Sequence, residues 1–259
     1  MNKVTIIAGA RPNFMKIAPI IHSILDANSK GVKIDYRLIH TGQHYDKNMS
    51  GSFFDELQIP APHNNLMCGG GSQAEQTAKI MIAFEKELLA HPADLVLVVG
   101  DVTSTMACAI VAQKLHIKVA HVEAGIRSGD WSMPEEINRL VTDSITNYFF
   151  TTSKTANKIL IESGVNKENI YFVGNTMIDT LLKQQPNFIK PKLWDDLNLK
   201  AKNYCVITLH RPANVDEEKK LKDLINEIIL NSENMPLIFP MHLHVSFDLL
   251  KLNLNIELF

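Results

Sequence analysis

Between His121 and Arg139 the chain reads His-Val-Glu-Ala-Gly-Ile-Arg-Ser-Gly-Asp-Trp-Ser-Met-Pro-Glu-Glu-Ile-Asn-Arg, its densest crowding of acids and bases. Lys118 to Val122 is apolar and β-branched enough for a buried strand, so Glu123 emerges where that strand ends. Ligands of parallel sheets bind beyond the carboxyl ends of the strands. Pro134, Glu135 and Glu136 then open a helical pattern in which Glu135 and Arg139 lie four apart, on one face. A solvated helix whose first-turn acids offset its dipole would show the same spacing. Glu123 and Arg127 just upstream favour a site instead.

Three other strand ends carry related chemistry. Gly9-Ala10-Arg11-Pro12-Asn13-Phe14-Met15-Lys16 is a strand-to-helix turn that brings two cations, Arg11 and Lys16, beside a helix N-terminus. It lacks the spacing of a Walker loop or a dinucleotide turn, and an ordinary turn with Lys16 solvated fits equally well. Gly100-Asp101-Val102-Thr103-Ser104-Thr105 places Asp101 at the same edge, with hydroxyls able to cap the next helix. Arg11, Lys16, Asp101 and Glu123 come from different strand ends and should face one crevice. Further on, Thr208-Leu209-His210-Arg211 follows another strand, so that His210 and Arg211 could complete a cationic clamp for a diphosphate.

Strand and helix patterns alternate to position these groups. Strands are expected at Val4 to Ala8, Tyr36 to Thr41, Asp94 to Gly100, Lys118 to Val122, Tyr148 to Thr152 and Ile170 to Val173. Helices are expected at Ile17 to Asn28, Gln73 to Ala90, Met106 to Leu115, Glu135 to Asn147, Lys154 to Ser163 and Met177 to Lys183. This alternation predicts an α/β fold with a doubly wound parallel sheet and right-handed crossovers. A polar, proline-containing stretch follows, so a first domain is expected over 1–183, a linker over 184–202 and a partial second domain over 203–259. In the second, Tyr204 to Leu209 and Leu237 to Met241 read as strands and Asp216 to Asn231 and Phe247 to Leu252 as helices, too few to close a sheet like the first.

Composition narrows the class. A hydrophobic content of 46% and a formal charge of -2, with acids and bases interspersed, describe a soluble globular protein without a basic face for nucleic acid. No window is apolar for long enough to span a membrane, and the apolar run after Lys3 stops at Arg11 without a cleavage motif. Three scattered cysteines, Cys68, Cys108 and Cys205, suit a reduced, cytoplasmic compartment. His242 and His244 share spacing with metal ligands but lack a third, so no metal is expected.

Seven motifs, in order, carry a family resemblance. They are the Gly-Ala-Arg-Pro-Asn-x-Met-Lys turn from Gly9, Thr-Gly-Gln-His-Tyr-Asp from Thr41, Gly-Asp-Val from Gly100, His-Val-Glu-Ala-Gly-Ile-Arg-Ser from His121, Pro-Glu-Glu-x-Asn-Arg from Pro134, Val-Gly-Asn-Thr-Met-Ile-Asp from Val173 and Thr-Leu-His-Arg-Pro-x-Asn-Val-Asp from Thr208. Together they closely resemble the non-hydrolysing UDP-N-acetylglucosamine 2-epimerases, over residues 3 to about 240.

The resemblance implies two Rossmann-like domains of the glycosyltransferase B type, the second incomplete here. It also implies interconversion of UDP-N-acetylglucosamine and UDP-N-acetylmannosamine by elimination and re-addition of UDP, without metal or nicotinamide cofactor. Arg11, Lys16, His210 and Arg211 would hold the departing diphosphate; Asp101, Glu123 and Glu135 would surround the sugar, with Arg139 holding Glu135. Crowded carboxylates should leave at least one with a raised pKa, to act as the acid. A regulatory substrate site near Gln43 and His44 is implied as well, although the Cys68-Gly69-Gly70-Gly71-Ser72 turn lacks the arginine of some relatives. A homodimer is expected, with its product feeding surface polysaccharide synthesis. Two other readings stay open: a hydrolysing epimerase that releases N-acetylmannosamine and UDP, and an inactive remnant or binding module, since the family's second half domain is missing from this sequence.

Overall fold

The computed structural model describes residues 2–42, 54–209, 217–233 and 235–240. The chain divides into two compact units, Met1–Asn187 and Phe188–Phe259. The stretch 184–202, expected as a linker, is less irregular than its composition suggests: it holds the end of one helix, a 3-10 turn at Gln185–Asn187 and a short helix at Lys192–Asp196.

In the first unit, β1 (Lys3–Ala8), β2 (Asp35–His40), β3 (Asn64–Asn65), β4 (Leu95–Val99), β5 (Lys118–Val122), β6 (Tyr148–Thr151) and β7 (Ile170–Phe172) form one sheet. Its order is β3-β2-β1-β4-β5-β6-β7 and every pairing is parallel. The interleaved helices are α1 (Arg11–Ser29), α2 (Gln73–Ala90), α3 (Thr103–Lys114), α4 (Pro134–Ser144), α5 (Lys154–Glu162) and α6 (Thr176–Gln184).

Alternation along each strand decides which layer covers which face. Ile6, Ala8, Leu97, Val99, Ala120 and Val122 pack on one side with Phe14, Ile17, Ile21 and Ile24 of α1. Ile7, Val96, Val98 and Val119 pack on the other with Ile80, Phe84 and Leu88 of α2 and Cys108, Val111 and Ala112 of α3. Both faces are therefore dry, which is why the strands read as continuous apolar runs rather than as polar–apolar alternation.

The chain winds outward from β1 through β2 to β3, then returns to β4 on the other side of β1. Between β1 and β4 the helices that follow the two strands diverge to opposite faces, leaving a crevice at the carboxyl edge. Gly9, at the end of β1, permits close approach there: a Cβ on it would lie 2.2 Å from Ser104 Oγ. The Ser104 hydroxyl is held 2.6 Å from Thr41 Oγ1, at the end of β2. Gly9→Ala is therefore expected to destabilise the fold by about 1–3 kcal/mol through overpacking, read as a lower midpoint in urea; an unchanged midpoint would mean that Ser104 yields without cost.

Helix α1 starts earlier than its apolar periodicity suggests. The helix begins at Arg11, with Pro12 in its first turn, where the missing N–H costs nothing. Asn13 completes the start: its Oδ1 accepts from the amides of Gly9 (3.0 Å) and Ala10 (2.9 Å), while its Nδ2 donates to Val99 O (3.3 Å). One buried side chain thus ties the end of β1 to the end of β4. Helix α2 starts on a reciprocal cap between Ser72 and Glu75, and the glycines before it turn the chain, Gly70 and Gly71 both having positive φ. No helix among the described residues is long and apolar enough to cross a membrane.

In the second unit, β8 (Cys205–Val206) pairs in parallel with β9 (Leu237–Ile238), and α8 (Glu218–Leu230) lies between them in sequence. The short helix α7 (Lys192–Asp196) carries Trp194, which meets Tyr204 edge-on at 5.7 Å. The helix expected at Phe247 to Leu252 lies outside the described residues.

Candidate functional site at the carboxyl edge of the sheet

Four elements end at the crevice, each delivering a polar group. Lys16, one turn into α1, pairs its amine with Glu123 Oε2 at the end of β5, and both side chains are largely buried. Glu123 itself has φ +71°, a left-handed conformation unusual for a side chain of its size. Its amide and that of Ala124 both donate to Phe150 O, at 3.0 and 3.2 Å, which holds the turn. Such a conformation costs free energy and persists where the surroundings impose it, often at ligand sites.

Beside this pair runs the Gly100 turn at the end of β4. Gly100 has φ +68°, and a Cβ there would lie 3.1 Å from Lys16 Nζ and 3.3 Å from Glu123 Oε2. Glycine thus satisfies both the turn and the approach of the ion pair. Asp101 comes next. Its Oδ2 accepts from Arg139 Nη2 at 2.5 Å, and its carbonyl accepts from Asn138 Nδ2 at 2.8 Å. Arg139 also donates through Nη1 to Glu136 Oε2 at 2.7 Å. Burial alone would lower the Arg139 pKa, but the hydrogen bonds and charges of Glu136 and Asp101 outweigh it and raise the value.

This corrects the partner expected for Arg139. The i,i+4 relation to Glu135 is not used: Arg139 bridges Glu136, three residues back, and Asp101. Glu136 is only 3% exposed. It accepts from Ser128 N (2.9 Å), Ser128 Oγ (2.9 Å) and Gly129 N (3.1 Å) as well as from Arg139. Those donors come from the loop preceding α4, so the loop's return selects which of two adjacent acids goes inside. Glu135 stays half-exposed, and its side chain makes no hydrogen bond or ion pair among the described residues.

Two buried acids that were not singled out from the sequence are displaced downward. Burial pushes the Glu136 carboxyl up, but its four donors bring it down to about 2. Asp143, in the last turn of α4, is likewise pushed up by burial and brought below the usual carboxylate range by His121 and Arg127. Each acid has a cation or several N–H groups facing it, and those interactions exceed the desolvation penalty.

Of the residues singled out from the sequence, Lys16, Glu123, Asp101 and Arg139 gather at this edge, and Arg11 is exposed at the first position of α1. Lys16 is engaged with an acid rather than simply solvated. Gln43, His44, His210 and Arg211 lie outside the described residues. Glu136, Asn138, His121 and Asp143 were not anticipated. The signals for the last two were a histidine inside an otherwise apolar strand and an acid at the end of a helix, where the dipole disfavours it.

Comparison with known proteins shows the family and the fold. The family described as UDP-N-acetylglucosamine 2-epimerase matches residues 26–253. A UDP-N-acetylglucosamine 2-epimerase homolog of Methanococcus maripaludis is 44% identical over 247 residues, covering 93% of this chain and 65% of the relative. The UDP-N-acetylglucosamine 2-epimerase of Methanocaldococcus jannaschii is 40% identical over 275 residues, covering 99% of this chain and 72% of the relative. The crystal structure of the M. jannaschii enzyme in complex with UDP-GlcNAc and UDP superimposes with a TM-score of 0.82, covering 97% of this chain and 69% of that one. The chain thus spans about two thirds of the length of the relatives it matches.

Proposed function

The chain belongs to the UDP-N-acetylglucosamine 2-epimerase family, and on that premise we propose that it interconverts UDP-N-acetylglucosamine and UDP-N-acetylmannosamine. The observation that carries this reading is the placement of Asp101 and Glu123 just past the ends of the adjacent strands β4 and β5, each paired with a cation, Asp101 with Arg139 and Glu123 with Lys16.

The chemistry explains why acids and cations must meet. A hydrogen at carbon 2 of the sugar is too weakly acidic for a carboxylate unless positive character develops at carbon 1. Departure of UDP must therefore run ahead of proton removal. In the proposed step the bond from carbon 1 to the phosphate oxygen breaks and its electron pair leaves with UDP. A carboxylate takes the carbon 2 proton, and the electrons of that bond form the double bond of a glycal. Re-addition of UDP to carbon 1, with a proton delivered to the opposite face of carbon 2, completes the inversion.

Asp101 and Glu123 stand at the sugar in this proposal, with Glu135 free to approach it from the start of α4. Arg11 and the N-terminus of α1 meet the diphosphate, the latter with its positive dipole end. His210 and Arg211 are assigned to the same diphosphate on their motif alone. Lys16 neutralises Glu123 and can turn to the leaving phosphate as charge builds on it.

Product analysis by NMR tests this reading on the 259-residue chain. The expected result is an equilibrium mixture of the two UDP-sugars. Free N-acetylmannosamine with UDP would replace it by the hydrolysing reaction, and unchanged substrate would overturn both.

A further inference from the structure

The two turns that carry the proposed proton-transfer groups are joined from beneath by a buried bridge. His121, on β5 two residues before Glu123, is 1% exposed. Its Nε2 lies 2.8 Å from Gly100 O, and its Nδ1 lies 2.7 Å from Asp143 Oδ1. A carbonyl only accepts, and so does a carboxylate, so the bridge is complete when the ring donates from both nitrogens. Asp143 Oδ2 in turn accepts from Gly125 N at 3.0 Å and from Arg127 Nη1 at 2.6 Å. Gly100 is further fixed by its own amide, which donates to Val122 O at 2.9 Å.

One path of hydrogen bonds therefore runs from the Gly100–Asp101 turn through His121 and Asp143 to the Glu123–Gly125 turn. The second turn has strain for the path to hold, because Glu123 has φ +71°, whereas Gly100 at +68° and Gly125 at +78° are glycines that adopt such values freely. The path is also costly to keep. An acid in the last turn of α4 opposes the helix dipole, and burial of charge beneath an apolar sheet adds desolvation. Arg127 and His121 offset that cost, but an apolar pair would have avoided it. A polar cluster kept against such a penalty points to a task beyond stability.

We propose that His121 and Asp143 are positioning residues, whose buried bridge locks the Asp101 turn to the Glu123 turn so that the two carboxylates keep one separation. The proposal rests on the reading that these carboxylates move the proton at carbon 2, but its direct test does not require turnover. In hydrogen exchange followed by mass spectrometry, Asp143→Asn should speed exchange about tenfold in the segments 99–105 and 123–130 together. His121→Gln should do the same while leaving the α2 and α5 segments unchanged. Acceleration of 123–130 alone in Asp143→Asn, or of neither segment in either variant, would overturn the proposal, since Asp143 touches Gly125 directly but reaches Gly100 only through His121. Acceleration throughout the chain would show a general loss of stability and would overturn it too.

Turnover gives a second readout, in which positioning and binding separate. Asp143→Asn should lower kcat about ten- to a hundredfold with KM for UDP-N-acetylglucosamine changed less than about threefold. If the unaltered chain turns over no UDP-sugar, the proposed function fails and exchange alone decides the bridge. If the unaltered chain turns over and the variant keeps full kcat, the bridge fails and the function stands.

Discussion

Replacing Asp101 by asparagine or Glu123 by glutamine removes deuterium uptake at carbon 2 from the reaction run in heavy water. Each change keeps the shape of the side chain and its capacity to accept a hydrogen bond, but abolishes its basicity. A positioned acid or base contributes about a hundred- to ten-thousandfold, so uptake should fall by at least the lower figure in one variant and to background in the residue that serves as the base. The ion pairs complicate a reading based on rate alone, because Glu123→Gln leaves the Lys16 amine without its carboxylate and Asp101→Asn weakens one arm of Arg139. Asp101 is partly solvated, so the second cost is small. UDP binding measured by calorimetry separates the two effects: it should survive in both variants, and retained uptake in either removes that residue from proton transfer.

Glu136 gives the second large effect, on stability rather than on rate. Its carboxyl titrates at about 2 in the folded chain against an ordinary value of 4.5, because four donors converge on a buried group. A depressed folded-state value means the ionised form binds the fold. The contribution is therefore fully present above about pH 4.5 and is lost as pH falls toward 2. Its size is about 3 kcal/mol, taking 1.36 kcal/mol for each pH unit of displacement. Glu136→Gln should thus destabilise the chain by about 2–4 kcal/mol at neutral pH, since an amide nitrogen must face one of the donors. Urea unfolding of both proteins at several pH values checks this directly. The gap between them should close between pH 4.5 and 2; a gap of constant size across that range would show that Glu136 is held by packing alone.

How far the sequence revealed this arrangement depended on whether local pattern or long-range return decided each feature. Strand β5 and helix α2 were legible to the residue, because an apolar run between turn residues and a capped periodic helix are locally specified. Strand β3 was not, since Asn64 and Asn65 pair with the end of β2 through backbone alone. The start of α1 was hidden by Gly9 to Asn13, which reads as a turn until Asn13 is seen folding back on Gly9 and Ala10. Asp101 and Glu123 were legible as strand-end acids, and the pairing of β4 with β5 sets those strand ends side by side. The choice of Glu136 over Glu135 was not legible, because it is made by Ser128 and Gly129 on a loop whose course no helical periodicity encodes. His121 and Asp143 carried a signal of the opposite kind, being polar where the local pattern calls for apolar residues or cations. Departures of that kind concentrate at functional sites.

The family match spans residues 26–253, whereas the activity rests on where a UDP-sugar lies. A crystal structure of this chain soaked with UDP-N-acetylglucosamine settles that placement. The account predicts the diphosphate against the first turn of α1 beside Arg11, with carbon 2 of the sugar within about 3.5 Å of a carboxylate oxygen of Asp101 or Glu123. A sugar bound well away from both carboxylates, with the nucleotide still ordered, would contradict it.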